Sequence, residues 1–210
     1  MLDHFNNILV VAPHADDEVL GVGGTVNSLV SRGKNVHLIV CANRSHDIDY
    51  SECQKQYTSV INLGLIDEQI KAAELIKLLE PAYISIKPQV VFIPNRDDFN
   101  MDHREVYHGS QVVLRRYQQH PPRVVMMYEV PSSTTQSFKN NFHCNYYQSI
   151  TQNDVEQKIN VLYKYTKEVR EFPNPRSKQG IMTYAMFRGM ECNSEYAEGF
   201  NIIYMKHEIN

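Results

Sequence analysis

A histidine and three carboxylates are crowded into the run PHADDE at residues 13–18. This run directly follows the apolar residues 8–12, so it lies where a buried strand is expected to end. Neighbouring carboxylates repel one another, and burial makes their ionised forms still less favourable. A bound cation would relieve both effects, and a spare carboxylate beside it could act as a base. The run therefore predicts metal-assisted hydrolysis.

Spacing suggests different roles within this run. His14 and Asp17 are three residues apart, so on a turn that enters a helix both side chains can reach one ion. Asp16 would stay uncoordinated beside them and could take a proton from the metal-bound water, as a general base must. We expect Glu18 to face the helix N-terminus, where the helix dipole stabilises negative charge. An ordinary capping turn is the alternative interpretation of His-x-x-Asp.

A catalytic zinc usually has three protein ligands and a water, so a third ligand should lie at another strand end. The segment NMDH at residues 100–103 supplies His103, with Asp102 beside it. The predicted site is therefore His14, Asp17, His103 and a water. An ordinary surface histidine is the alternative for His103. Zn²⁺ is the expected ion, although these ligands also suit other divalent metals.

The elements that must position these residues alternate between strands and helices. This order favours a mostly parallel sheet with helices on both faces, in a single Rossmann-like α/β domain over residues 1–210. We predict buried strands at residues 8–12, 36–42, 90–94 and 124–128, an antiparallel edge strand at 200–205, and helices at 19–31, 52–63, 68–79, 102–118, 153–169 and 180–189. In these assignments Gly64 caps the second helix, Pro81 ends the third, Asn100 or Asp102 caps the fourth, and Asn153 or Thr151 caps the fifth.

Ligands of such sheets bind at the carboxyl ends of the strands. Polar clusters fall there at residues 14–18, 43–49 and 95–103, and the irregular segment 131–142 is a candidate functional loop. A dinucleotide site is not expected. The run GVGG at residues 21–24 fails the G-x-G-x-x-G pattern because Val26 occupies its last position. These glycines are expected to let the helix approach the sheet closely.

Composition narrows the class of protein. The chain has 210 residues, of which 42% are apolar, and its 21 basic and 24 acidic residues give a net charge of −3 with no basic tract. Nucleic acid is therefore not an expected partner. No apolar run approaches the roughly 20 residues of a membrane span, and the N-terminus lacks the pattern of a signal peptide. The four scattered cysteines fit a cytoplasmic protein.

These motifs together resemble the LmbE-like (PIG-L) family of zinc-dependent N-acetylglucosamine deacetylases. The family opens with A-H-P-D-D-E, where this chain has Ala15 in place of the proline. Its second motif is H-x-D-H, where this chain has Asn100 in place of the first histidine. Residues 188–200 are similar to its closing R-G and Y-A-E-x-F pattern. The resemblance runs from residue 8 to about residue 204.

The resemblance implies zinc held by His14, Asp17 and His103, with Asp16 as general base and Asp102 orienting a neighbouring catalytic group. It also implies a Rossmann-like fold without a nucleotide cofactor. Members of the family remove acetyl or related acyl groups from amino sugars that are lipid-linked, thiol-linked or otherwise conjugated.

Asn100 departs from the family, whose histidine there stabilises the oxyanion or protonates the leaving amine. Asparagine can donate a hydrogen bond to an oxyanion but cannot deliver a proton as imidazolium does. Three alternatives follow from this departure. Asp16 carries the proton both ways, His143 or Tyr128 assists, or activity is low or lost.

Substrate contacts are expected after other strands. Arg44 follows the second strand and could hold a phosphate or a sugar hydroxyl, with a solvated surface arginine as the alternative. Glu129 and residues 132–134 end the fourth strand and could line a sugar site, although turn chemistry explains the serines equally well. We expect Arg188 and Glu198 to form a structural ion pair.

The combined prediction is a cytoplasmic hydrolase that cleaves the linear amide of an N-acetylated amino sugar. The substrate would be a small molecule, free or linked to a nucleotide or lipid, and a homo-oligomer is compatible with the sequence. The alternative is a non-catalytic sugar-binding or scaffold protein that keeps the fold and the metal site. Asn100 motivates this alternative.

Overall fold

Seven strands form one sheet in the computed structural model, which describes residues 1–43, 51–138, 142–165 and 168–207. The strands are β1 (Asn7–His14), β2 (Asn35–Asn43), β3 (Ser59–Ile66), β4 (Val90–Pro94), β5 (Val124–Tyr128), β6 (Tyr146–Ile150) and β7 (Tyr196–Met205). Their order across the sheet is β3-β2-β1-β4-β5-β7-β6. The first five strands are parallel, whereas β7 runs antiparallel to both β5 and β6.

Helices cover both faces of this sheet. They are α1 (Asp17–Ser31), α2 (Ser51–Gln54), α3 (Ala72–Ile86), α4 (Met101–Val113), α5 (Pro131–Thr134), α6 (Gln152–Lys164) and α7 (Lys178–Glu191). α1 and α6 pack together on one face, and α3 and α4 pack together on the other. The predicted fold class, a single mostly parallel α/β domain, is confirmed. None of the helices in the described ranges is long and apolar enough to cross a membrane.

β1 lies at the centre of the sheet and is buried on both faces. Ile8 and Val10 point into the core on the α1 side, and Leu9 and Val11 point into the core on the α3 side. Burial on both faces explains the continuous apolar run of this strand. The chain builds outward from β1 through β2 to β3, and then returns to place β4 on the other side of β1. This switch point opens a crevice at the carboxyl ends of β1 and β4.

The helix predicted for residues 52–63 is wrong. Only α2 is helical there, and β3 follows it as an edge strand paired with β2. Backbone pairing with β2 outweighs the local helical pattern, since strand formation depends strongly on neighbouring strands. Gly64 lies inside β3 rather than at a helix end. Its φ of +70° falls where the pairing register shifts, between Asn62 and Leu65.

The predicted end of a helix at Pro81 is also wrong. α3 begins at Ala72 and continues through Pro81 to Ile86. Proline removes one helical hydrogen bond, but Leu79 and Tyr83 on either side of it are buried in the core. Tertiary packing of the apolar face supplies most of a helix's stability and keeps this one continuous.

The C-terminal part of the sheet also differs from the prediction. β6 was not predicted, and β7 lies between β5 and β6 rather than at the edge. α5 gives the predicted irregular loop a helical turn at its start. The predicted C-terminal ends of α4 and α6, at residues 118 and 169, were too late. α4 ends at Val113 and α6 ends at Lys164. The predicted alternatives Asn100 and Thr151 do cap these two helices.

Gly21 brings α1 close to the sheet, as predicted. A Cβ atom at this position would lie 2.2 Å from Cδ2 of Tyr128 on β5. The Tyr128 ring cannot easily move away, because it is fully buried and its hydroxyl donates a hydrogen bond to the Val11 carbonyl at 2.9 Å.

Gly21→Ala is therefore expected to destabilise the protein by about 1–3 kcal/mol, the usual effect of overpacking a core. Urea unfolding measures this change. Ser28→Ala, a substitution on the same helix, is the control and should change the free energy of unfolding by less than about 0.5 kcal/mol. Equal stabilities of the Gly21 variant and the wild type would contradict the close approach.

Candidate metal centre

The PHADDE run forms a strand, a tight turn and a helix. β1 ends at His14, the chain turns at Asp16, and α1 begins at Asp17. Asp16 has a φ of 122°, a value that residues other than glycine rarely adopt. Its backbone N–H donates to Oε2 of Glu18 at 2.9 Å, and the backbone N–H of His14 donates to Oδ2 of Asp17 at 3.0 Å. The carboxylates of the run thus stabilise the turn that carries them.

The turn brings His14 and Asp17 together with His103 from the first part of α4. Nδ1 of His14 lies 3.2 Å from Oδ2 of Asp17, and Nε2 of His103 lies 3.1 Å from the same oxygen. One donor atom from each of the three residues lies within 4.8 Å of the others. All three side chains are buried. The crevice between β1 and β4 therefore holds a compact cluster of two imidazoles and one carboxylate.

The cluster fits a divalent cation. Within the described ranges, Oδ1 of Asp17 is buried without a hydrogen-bond partner, and neither ring nitrogen of His103 makes a well-directed hydrogen bond, although carboxylate oxygens of Asp17 and Asp98 lie 3.1 Å and 3.4 Å from them. Such orphaned polar atoms are rare in folded proteins and call for an explanation. Two histidines and one carboxylate form a donor set typical of catalytic zinc, and related divalent ions also accept it. A shared cation would satisfy the atoms that the protein leaves without partners.

A second set of carboxylates faces the other nitrogen of His14. Nε2 lies 2.9 Å from Oδ1 of Asp67 and 3.0 Å from Oδ2 of Asp102. Asp102 also accepts two backbone N–H groups from the segment that follows β3. Metal-binding histidines usually donate their second ring N–H to a carboxylate. His14, Asp67 and Asp102 also lie close enough together to hold a metal ion. The usual arrangement around a metal-binding histidine nevertheless favours an orienting role for the two carboxylates.

His103 has a corresponding partner in Asp98. Oδ1 of Asp98 lies 3.4 Å from Nδ1 of His103. The hydroxyls of Ser133 and Thr134, both on α5, donate to the Asp98 carboxylate. α5 therefore supports the residue that faces His103.

Asn100 caps α4 and lies beside this cluster. Its Oδ1 accepts the backbone N–H of Asp102 at 2.8 Å, and its own N–H donates to Oδ1 of Asp98 at 2.9 Å. Capping by asparagine satisfies one of the unpaired N–H groups at the start of a helix. Asn100 thus helps to set the direction in which α4 presents His103.

The electrostatics of the cluster are strongly perturbed. Burial lowers the pKa of His14, but hydrogen bonds to three carboxylates outweigh it and raise the pKa to about 11. Burial also lowers the pKa of His103, and the carboxylates of Asp17 and Asp98 raise it to about 9. Burial raises the pKa of Asp17, yet the two imidazoles hold it well below its usual range. Protons on the imidazoles thus supply the positive charge when no cation is bound.

Arg176 contacts Asp16, whose carboxylate is the general base predicted from the sequence. Its Nη1 lies 2.7 Å from Oδ2 of Asp16 and also bonds to Glu168. Its Nε donates to Oγ of Ser132 at 2.8 Å. No sequence pattern indicated this role, because the segment around Arg176 resembles an ordinary proline-rich turn.

Glu129 forms a two-pronged ion pair with Arg188. Nε and Nη2 of Arg188 lie 2.7 Å and 2.8 Å from the two carboxylate oxygens of Glu129. The expected pair of Arg188 with Glu198 is therefore wrong. Glu198 bonds instead to Nζ of Lys158 at 2.7 Å and accepts backbone N–H groups of α1. Glu129 and Arg188 line a cavity of about 350 Å³ together with Tyr184.

Two of the other expected residues, Tyr128 and His143, have neighbours outside the three-residue cluster. Arg44 lies outside the described residues. The Tyr128 hydroxyl donates to the Val11 carbonyl. His143 lines a small separate cavity with Asn95.

Three residues around the cluster escaped the sequence prediction. Asp67 directly follows β3. Because the sequence predicted a helix at residues 52–63 instead of this strand, Asp67 was not recognised as a residue at a strand end. Asp98 belongs to the predicted polar cluster after β4, so a signal existed, but several acidic residues share that segment. Arg176 comes from a distant part of the chain and only the folded protein brings it near Asp16.

Comparison with known proteins agrees with the first sequence motif and with the α/β fold. The family model described as PIG-L, GlcNAc-PI de-N-acetylase, matches residues 9–64. No curated protein matches the sequence significantly. One similar solved structure is the conserved protein TT1542 from Thermus thermophilus, with a TM-score of 0.79, 20% identity and coverage of 97% of each chain.

Two further structures have names that describe an activity. One is the N,N'-diacetylchitobiose deacetylase from Pyrococcus horikoshii, with a TM-score of 0.77 and 18% identity over 96% of this chain and 85% of the other. The other is GalB, the 4-carboxy-2-hydroxymuconate hydratase from Pseudomonas putida KT2440, with a TM-score of 0.72 and 17% identity over 97% and 98%. At these identities the likeness concerns the fold. Over residues 9–64 the chain is thus similar to the PIG-L family, and over nearly its whole length it shares the fold of these solved structures.

Proposed function

We propose that this protein is a metal-dependent hydrolase that removes an acetyl or related acyl group from the nitrogen of an amino sugar or its conjugate. The observation that carries the proposal is the buried cluster of His14, Asp17 and His103 beside Asp16, at the crevice between β1 and β4. The PIG-L match includes this first motif. A deacetylase of the same fold adds support. We propose that residues 1–210 form a single LmbE-like deacetylase domain.

His14, Asp17 and His103 would hold the ion, with zinc as our first choice. A bound divalent cation polarises the acyl carbonyl and lowers the pKa of a nearby water. Asp102 orients His14 through its Nε2, and Asp98 orients His103 through its Nδ1. Both ligating side chains are thereby fixed before substrate arrives.

Asp16 would move the proton. Its carboxylate accepts a proton from the attacking water as the new carbon–oxygen bond forms. It then returns this proton to the nitrogen as the carbon–nitrogen bond breaks, which releases a free amine and a carboxylic acid that loses its remaining proton to the solvent. Asn100 would donate a side-chain N–H to the oxyanion. We keep Arg44 and Glu129 as proposed substrate contacts.

Two linked measurements test this function. The first is elemental analysis of protein purified without added metal. The second is acetate release from a panel of N-acetyl amino sugars and their conjugates with added zinc. Release of acetate in proportion to bound metal is expected. Stoichiometric metal without turnover of any substrate would favour the alternative that Asn100 suggests, a sugar-binding or scaffold protein that has lost catalysis.

Metal binding is expected to release protons. The raised pKa values of His14 and His103, about 11 and about 9, mean that both imidazoles are protonated at neutral pH before the ion binds. A cation needs neutral imidazole as its ligand, so it displaces these protons and binds more tightly as the pH rises. Titration calorimetry in buffers of different ionisation enthalpy counts the protons. A buffer-independent enthalpy would contradict this prediction.

A further inference from the structure

Arg176 connects a distant part of the chain to the proposed base. It lies 160 residues after Asp16 in sequence, yet its Nη1 is 2.7 Å from the Oδ2 atom of Asp16. The Arg176 side chain is 11% exposed, and that of Asp16 is fully buried. A hydrogen bond between two charged groups in such a setting is short and strong. The contact therefore restrains the Asp16 side chain more than a surface ion pair would.

Arg176 is itself held in place by its surroundings. Its Nε donates to Oγ of Ser132 on α5 at 2.8 Å, and its Nη1 also bonds to Glu168 after α6. Its backbone N–H donates to Oδ1 of Asn174 at 2.9 Å. Because the guanidinium group is planar and rigid, these bonds fix its direction as well as its position. The guanidinium group of Arg176 is therefore already oriented when it donates a hydrogen bond to Asp16.

The main chain of Asp16 is also held in place. Oε2 of Glu18 accepts its backbone N–H, and Oε1 of Glu18 accepts the hydroxyl of Tyr165 at 2.6 Å. The φ of 122° at Asp16 is a sparsely populated conformation that persists only where the surrounding structure fixes it. Tyr165 and Arg176, eleven positions apart in sequence, thus act on the backbone and the side chain of one residue.

We propose that Arg176 is a positioning residue that fixes the orientation of the Asp16 carboxylate for proton transfer, an inference that rests on the proposed hydrolase function. Bonding at Oδ2 stops rotation of the carboxylate about its Cβ–Cγ bond. A misplacement of about 1 Å in a catalytic group can lower a rate about 100-fold, so such restraint matters. Arg176 itself exchanges no proton. The proton passes from the water to Asp16 and then to the leaving nitrogen.

The test compares Arg176→Ala and Arg176→Lys with the wild type. Both variants are expected to lose about 10- to 100-fold in kcat and to keep their bound metal. KM should stay within about twofold, because an interaction that acts in the transition state lowers kcat without changing ground-state binding. Added guanidinium ion should restore part of the kcat of the alanine variant. Lysine keeps the charge but cannot bond Asp16 and Ser132 together.

Arg32→Ala is the matched control. Arg32 forms a surface ion pair with Asp3 at the other end of α1, so its loss should leave kcat, KM and the response to guanidinium unchanged. Wild-type kcat in both Arg176 variants would overturn the proposal. A raised KM with an unchanged kcat would also overturn it and would make Arg176 a substrate contact. If the alanine variant fails to fold, the lysine variant decides.

A structural readout separates this inference from the proposed function. Crystal structures of the metal-loaded wild type and Arg176→Ala should show Asp16 in one side-chain conformation in the first and in several in the second. An unchanged single conformation would overturn the positioning role. If the wild type hydrolyses no amide but Asp16 still reorients in the variant, the hydrolase proposal fails and the restraint by Arg176 stands.

Discussion

Asp16→Asn is expected to bind metal normally and to lose turnover by about 100- to 10,000-fold, the usual contribution of a general acid–base group. Asparagine has the shape of aspartate but cannot accept the proton from the attacking water. Its Oδ1 can still accept the hydrogen bond from Arg176. Asparagine also adopts positive φ values more readily than most residues. The variant should therefore keep the turn at the end of β1 while it loses the base.

Steady-state kinetics and elemental analysis of the same preparation measure both parts of this prediction. Asp3→Asn removes one carboxylate at an exposed position, where it pairs with Arg32, and serves as the control with wild-type values. Full activity of Asp16→Asn would show that another group is the base. Loss of the metal would show instead that Asp16 is a ligand.

His103→Ala is expected to abolish stoichiometric metal binding and, with it, activity. The remaining His14 and Asp17 supply only two donors, whereas a catalytic zinc usually needs three. Loss of an outer partner alone typically weakens metal binding about 10- to 100-fold, so removal of a direct ligand should exceed that range. Elemental analysis after dialysis, together with competition against a chelator, measures the change in affinity.

His108→Ala is the matched control for this variant. His108 lies on the same helix, α4, but its side chain is exposed. Its loss should leave metal content and acetate release at wild-type levels. A metal stoichiometry near one in His103→Ala would contradict the proposed ligand set. The second set of residues that could hold a metal ion, His14 with Asp67 and Asp102, would then be the candidate site.

The buried strands could be read from the sequence with nearly correct bounds. β4 and β5 match the predicted ranges, and β1 and β2 extend them by a few residues. These strands are covered on both faces, so their sequences are continuous apolar runs that no other element of that length resembles. β3 and β6 escaped prediction because they lie at the two edges of the sheet. An edge strand is half exposed, and its pattern is set by its neighbour rather than by its own residues.

The candidate site divides in the same way. The sequence by itself was enough to predict that His14, Asp17 and His103 lie close together, because they stand at or after the ends of two buried strands, and parallel strands bring their carboxyl ends to one edge. The role of Asp16 as a base remains a prediction. Only the tertiary structure decided which nitrogen of His14 faces Asp17, that Asp98 supports His103, and that Arg176 reaches Asp16. Those contacts join residues whose separation along the chain carries no periodicity, and side-chain packing alone sets their distances and their pKa values.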